Sequence, residues 1–298
     1  MNKSPAHMLI TVAPVLFVLM WATGFVVARL SAPHVEPLTF LAIRFPIAGA
    51  IFFVIALIIG APWPGHRLAL HAMVAGAFLH GGYLAPVYWA VAHGMPAGVS
   101  ALIVGLQPLI TAILAHYMVN EHISSRHWIG LAVGIAGVGL VIWPKLSFAA
   151  LGGITPLTTG VNVMGAVAIA FGTVYQKRHA TGLNLASGGT WQYVGASIVV
   201  IAAALVMEDF RFDGSFNAWF ALGWSVIVLS LGAITLLMLL IRHGDVGRVS
   251  SLIFLVPGVS ALMAYGLFGE TLTAVQILGM GVCAAAVLIV TRRPSRRS

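Results

Sequence analysis

A few polar and aromatic side chains interrupt the long apolar runs of this chain, and their types suit non-covalent capture of a small solute. His80-Gly81-Gly82-Tyr83, followed by Pro86, Tyr88 and Trp89, lies near the centre of one run. Gln107 precedes Pro108 at the centre of the next, Trp21 lies midway along the first, and Arg44 sits inside the second. At about 1.5 Å per residue, Arg44 is roughly 9 Å below the end of its run. A polar group at such depth is costly unless it faces a cavity or a partner. His80 and Tyr83 are therefore expected to line a cavity, with Gly81 and Gly82 letting a helix or a ligand approach the backbone. The Gln107 amide carries donors and an acceptor for a zwitterion, and Arg44 is placed to attract a carboxylate. Trp21, Tyr175 and Trp191 offer ring faces to an aromatic solute.

Each position also has a plainer reading. His80 equally well bonds a helix neighbour while the glycines only pack, and Gln107 equally well bonds across helices. Arg44 can snorkel outward or pair with Glu36. Trp21 and Tyr175 are as readily core residues, and Trp191 opens its run, where interfacial belt residues are common. Pro108 and Pro257 are expected as kinks that allow gating. Ser100, Ser250 and Ser251 are expected to cap helices rather than touch solute.

Several absences narrow the chemistry. No Asp or Glu falls at the centre of an apolar run, so coupling through an intramembrane carboxylate is not expected, and His80 is the remaining titratable candidate. No phosphate-binding glycine loop, zinc-protease motif or metal-ligand cluster occurs; His66, His71, His122 and His127 are too dispersed for a metal. An intramembrane enzyme would need paired carboxylates or a nucleophile with its base near the interface, and neither is visible. No catalytic residue, metal or cofactor is expected.

The elements that must position these residues are transmembrane helices. Of 298 residues, 60% are hydrophobic and only 7% charged, with a mean hydropathy of +1.02. A soluble domain carries roughly a quarter of its residues charged, so this chain's solvent is lipid. The runs are continuous rather than alternating, which favours helices over a β-barrel. Ten spans are predicted: 11–30, 38–59, 68–92, 97–119, 127–143, 157–177, 188–207, 216–241, 247–268 and 272–291. The first has full spanning length and no small-residue cleavage site, so it is expected to stay as a helix. The single cysteine, Cys283, excludes an internal disulfide and reads as a packing residue. The net charge of +8 does not point to nucleic acid, because the basic residues sit in loops and at the C-terminus.

Two stretches nearly repeat each other. His93-Gly94, Val99-Ser100-Ala101-Leu102-Ile103, Pro108, Glu121 and Gly130 return as His243-Gly244, Val249-Ser250-Ser251-Leu252-Ile253, Pro257, Glu270 and Gly279. The offset is 150, then 149 from the proline on. A weaker match at offset 148 sets Ala22, Gly24 and Val26 against Ala170, Gly172 and Val174, and Arg44 against Gln192. A duplicated membrane unit suggests a transporter with its substrate path between the halves. Most Lys and Arg fall on one side of the predicted spans, which puts both termini in the cytoplasm. Five crossings per half is odd, so the halves, 1–149 and 150–298, are expected to be inverted relative to each other around a central cavity. Glu121 then faces the cytoplasm and Glu270 the outside, where both fix loops or latch a gate.

These marks resemble the EamA-type transporters of the drug/metabolite transporter superfamily. An apolar helix with a central proline, a glutamate, a short polar turn and a Gly-rich closing helix appear twice, at Pro108, Glu121 and Gly130 and at Pro257, Glu270 and Gly279. The resemblance spans essentially the whole chain. It implies an all-α integral membrane protein of ten transmembrane helices, each half one EamA-like five-helix repeat, and export of metabolites. More narrowly, the chain is similar to a bacterial aromatic-amino-acid exporter of the inner membrane. The alternative is an exporter of purines, sugars or drugs on the same frame; only Arg44 approaches the basic cluster that a phosphorylated substrate needs. The inverted repeat disfavours a channel. The expected partners are the amino-acid substrate and the bilayer, with a monomer as one allowed state.

Overall fold

The computed structural model describes residues 5–95, 97–121, 123–142, 155–243, 252–268 and 273–291. Within them the chain is helical, apart from one isolated antiparallel bridge between Val35 and Phe212. In order come α1 (Pro5–Ser31), α2 (Pro37–Ile58), α3 (His66–Gly76), a π-turn (Ala77–Gly81), α4 (Gly82–Ala92), α5 (Ala97–Gly105), α6 (Gln107–Val119) and α7 (Ser125–Ile142). Then follow α8 (Pro156–His179), α9 (Leu185–Met207), α10 (Phe216–Trp224), a π-helical stretch (Ser225–Ala233) and α11 (Ile234–His243). A 3-10 turn (Leu252–Leu255), α12 (Val256–Phe268) and α13 (Ala274–Thr291) close the order. Among the described residues six stretches are long and apolar enough to cross a membrane: Val12–Ser31, Pro37–Ile58, His66–Ala92, Pro156–His179, Leu185–Met207 and Phe216–Leu237. Their outward faces are apolar; Val206 is 85% exposed and Ile58 79%. Apolar surface on that scale belongs in lipid. The chain is an all-α membrane protein.

The two prolines expected as kinks stand where the helical winding changes, with Leu106 still in a right-handed helical conformation. The predicted span 97–119 divides at Leu106, and Pro108 is the second residue of α6. Pro257 is likewise the second residue of α12, directly after the 3-10 turn. First-turn amides have no acceptor within the helix, so a missing N–H costs nothing there. Ser100 is not a cap. It lies inside α5, fully buried, and its hydroxyl donates to Asn162 Oδ1 of α8 at 3.2 Å. Ser250, Ser251 and Glu270 lie outside the described residues.

Packing joins elements far apart in sequence. A Cβ on Gly76 of α3 would overlap the Gln192 carbonyl of α9, and one on Gly195 of α9 would overlap the Met73 carbonyl of α3. The two backbones therefore touch. On the other side, a Cβ on Gly172 of α8 would come within 2.9 Å of Leu79. The stretch His66–Ala92 is thus clamped between α8 and α9. Elsewhere α7 lies along α13, where a Cβ on Gly137 would come within 2.8 Å of Cys283. Cys283 is a buried packing residue, as expected.

One end of the bundle is closed by a polar clasp between the α1–α2 loop and the α9–α10 loop. Glu208 accepts from Leu38 N at 2.8 Å, Thr39 N at 2.7 Å and the Thr39 hydroxyl at 2.9 Å. Its carboxylate therefore occupies the N-terminus of α2, where free amides and the helix dipole favour an anion. Glu36 accepts from the Arg211 amide at 2.9 Å, so it is engaged in the clasp and not with Arg44. Asp213 contacts His34 at 2.7 Å. The Ser215 amide, then His34, hold the Asp213 carboxyl down at about 2. Replacing Glu208 by alanine strands these donors and is expected to cost about 2 kcal/mol, since charge-assisted hydrogen bonds contribute roughly 1.5–3 kcal/mol. Thermal unfolding in detergent checks this against Asp209→Ala at the exposed neighbour. Equal melting temperatures for the two variants would count against the cap.

Candidate functional site

A cavity lies between α1, α2, the α3–α4 stretch, the second π-helical stretch and α11. Four of the side chains expected from the sequence meet there: Trp21, Arg44, His80 and Tyr83. Trp21 and Tyr83 are stacked, with ring centroids 6.2 Å apart and planes within 9°. His80 belongs to the π-turn and lies parallel to Tyr193, with centroids 4.6 Å apart. Its Nε2 is buried and has no hydrogen-bond partner. π-turns insert an extra residue per turn and often mark functional sites. Here the turn follows Gly76 and runs into Gly81-Gly82, where α8 and α9 press on the backbone. The Ser225–Ala233 stretch supplies the facing wall through Leu229.

Arg44 enters from α2 and is 3% exposed. Its Nε donates to the Ser230 hydroxyl at 3.0 Å, and its Nη1 is buried with no partner. Ser225 and Arg44 lie beside the Tyr88 hydroxyl. The Tyr88 and Ser225 hydroxyls are likewise buried and unpartnered. The cavity wall thus holds unspent hydrogen-bonding capacity on several sides. Each unmet buried polar group costs roughly 1–3 kcal/mol, and more when charged. A polar solute that satisfies them recovers that cost.

Two further spaces adjoin this one. A small space shares Trp21, Leu79, His80 and Ile234 with it and reaches Gln176 and Gln192. A third shares Gln176 and Gln192 and opens beside Lys177 and Asn184 at the α8–α9 loop. Polar side chains therefore mark a track from the cavity to the end of the bundle opposite the clasp.

The remaining candidates lie elsewhere. The Tyr175 hydroxyl bonds His71 Nδ1 at 2.8 Å, and its ring packs on His179, 4.7 Å between centroids. Trp191 packs beside Ala72, Ala180 and Leu183, with Nε1 buried and unpartnered. Gln107 is buried; its Nε2 donates to the Thr111 hydroxyl at 3.0 Å while Oε1 has no partner. Glu121 pairs with Lys177 and so ties the end of α6 to α8. The cavity also uses Tyr88, and the adjoining space uses Gln192; the sequence singled out neither as a ligand contact. For Gln192 a signal existed: it is the repeat counterpart of Arg44, and both line the connected spaces.

The chain matches the EamA-like transporter family twice, over residues 8–143 and 160–292. It is 27% identical over 273 residues to a protein named uncharacterized inner membrane transporter YedA of Escherichia coli (strain K12), covering 92% of this chain and 87% of that protein. It is 26% identical over 290 residues to a probable amino-acid metabolite efflux pump of Salmonella typhimurium, with 92% of each chain covered. A solved crystal structure superposes with a TM-score of 0.76 at 19% identity, covering 95% of this chain and 96% of that one, which shows a shared fold. With two family segments that together span most of its length, this chain is a membrane transporter that belongs to the EamA-like transporter family.

Proposed function

We propose that this transporter exports amino acids, aromatic or other neutral ones, and metabolites derived from them, across a bacterial inner membrane. The carrying observation is the buried cavity in which Arg44, His80 and the stacked Trp21–Tyr83 pair converge. Relatives named as an inner membrane transporter and as amino-acid metabolite efflux pumps support the same reading. On this reading ten helices form two inverted five-helix repeats, 1–149 and 150–298, with both termini cytoplasmic. No covalent chemistry is involved; the protein binds its substrate and changes which side the cavity faces. Solute enters along the polar track past Lys177, Gln176 and Gln192 while the clasp end stays shut. The Glu121–Lys177 pair ties α6 to α8 at the entry end. Tyr175 and Gln107 act around the path, and the changes of winding before Pro108 and Pro257 supply the hinges.

Counterflow in proteoliposomes tests this. Vesicles preloaded with unlabelled phenylalanine, tyrosine, leucine or threonine are expected to accumulate the labelled amino acid saturably without a pH gradient. A panel in which no amino acid exchanges against another would defeat the reading. A dependence on a pH gradient that disappears in His80→Gln would instead assign His80 to proton coupling.

A further inference from the structure

We propose that the central cavity selects an aromatic monocarboxylate that carries no ammonium charge, and that Arg44 is the residue that makes this selection. The inference rests on reading the cavity as the substrate site, and it names the charge class of that substrate. Arg44 is the one charged side chain among the residues that line the cavity. Among the described residues the carboxylates of Glu36, Glu208, Glu121 and Asp213 are committed elsewhere. Glu36 is held by the Arg211 amide, Glu208 by the start of α2, Glu121 by Lys177, and Asp213 by Ser215 and His34. The buried guanidinium donates to one serine hydroxyl and keeps Nη1 unpartnered, so among the described residues the cavity holds a positive charge without an anion.

A bound ligand changes that balance according to its own charge. A monoanion brings the cavity to neutrality. A zwitterion brings a carboxylate for Arg44 but also an ammonium, for which the cavity offers no carboxylate. A cation doubles the buried charge. Burial in a low-dielectric site penalises each uncompensated charge, so the order of preference follows the net charge of the filled cavity. Two donors on the cavity wall suit a carboxylate: Arg44 Nη1 and the Tyr88 hydroxyl, both buried and without a partner among the described residues. The rest of the wall, including Phe25, Leu84 and Val87, is apolar, and the Trp21–Tyr83 stack offers flat surface to a ring.

Four ligands that share one ring and differ in charge test the proposal: 3-phenylpropanoate, phenylalanine, 3-phenylpropanamide and 2-phenylethylamine. Binding is measured by titration calorimetry on the full-length protein in lipid nanodiscs. The acid is expected to bind at least about tenfold tighter than phenylalanine or the amide, with the amine weakest, as opposite charges at contact distance in a buried site imply. Arg44→Gln is expected to lower affinity for the acid at least about tenfold while the amide changes less than about twofold. If that variant does not fold, Arg44→Lys keeps the charge without the planar fork, and the order acid over phenylalanine over amine should survive with weaker binding. Phenylalanine binding as tightly as the acid, or an acid affinity indifferent to both substitutions, overturns the inference. If phenylalanine binds and exchanges in counterflow while the acid does neither, the transport reading stands and the charge selection is wrong. If none of the four binds, the selection is wrong as well, and the counterflow panel alone then judges the transport reading.

Discussion

Gly195→Ala is expected to lower the stability of the folded protein by about 3 kcal/mol, and Gly195→Val to remove folded protein altogether, beyond the roughly 1–3 kcal/mol of ordinary overpacking. The reason is what the new atom meets. A Cβ at Gly195 falls on the Met73 carbonyl, and the reciprocal Cβ at Gly76 falls on the Gln192 carbonyl. Flexible side chains can swing away from an added methyl; two helix backbones can only separate. Separating α3 from α9 would also unseat the π-turn and His80 with it. Gly160 and Gly223 are the controls, because nothing lies within 4 Å of a Cβ at either position. Alanine there should be neutral or stabilise by about 0.4–1 kcal/mol through lower backbone entropy in the unfolded chain. Monodispersity and apparent melting temperature in detergent read out all of these variants. A Gly195→Ala protein that melts with the parent would show that the backbone contact is not needed.

The second large effect is expected in transport. Trp21→Ala should reduce counterflow at least about tenfold, the equivalent of about 1.4 kcal/mol, which is the scale of one aromatic pairing. Trp21 provides a wall shared by the two connected spaces as well as a stacking face toward Tyr83. Tyr83→Ala should fall to a similar level, and the double variant should add little, because both remove the same stack. Trp21→Phe keeps a ring and should retain most of the exchange. Trp191→Ala removes an equally large ring that packs beside Ala72, Ala180 and Leu183 and lines none of the described spaces. Its affinity for substrate should match the parent's. If Trp191→Ala loses as much affinity as Trp21→Ala, the substrate does not sit where the stacked pair is.

The helices were legible from the sequence because bilayer thickness imposes one length on every crossing. The predicted runs 38–59 and 188–207 lie close to Pro37–Ile58 and Leu185–Met207. An apolar run long enough to cross conceals a change of winding inside it, as at Leu106, because lipid exposure and burial among helices select the same side chains. Burial hid Ser100 in another way: the hydroxyl serves an asparagine on α8, 62 positions away in the chain, and no local pattern records that partner.

The candidate site divides along the same line. Depth in an apolar run singled out Trp21, Arg44, His80 and Tyr83, since a costly polar or aromatic group at mid-membrane is kept only where something answers it. Depth could not separate these from Gln107, which also lies at the centre of a run but turns its amide to Thr111. That separation depends on the rotation of each helix about its axis and on its local winding. Both come from neighbours: Gly76 and Gly195 set how close α3 and α9 come, and the π-turn re-aims His80. Composition and run length thus determined by themselves that this is a helical membrane protein, and the doubled motif that it resembles one transporter family. Only the tertiary structure decided which of the deep side chains share a cavity, and that Arg44 stands in it without a counter-charge among the described residues, because facing directions and partners are properties of packed helices rather than of the runs that form them.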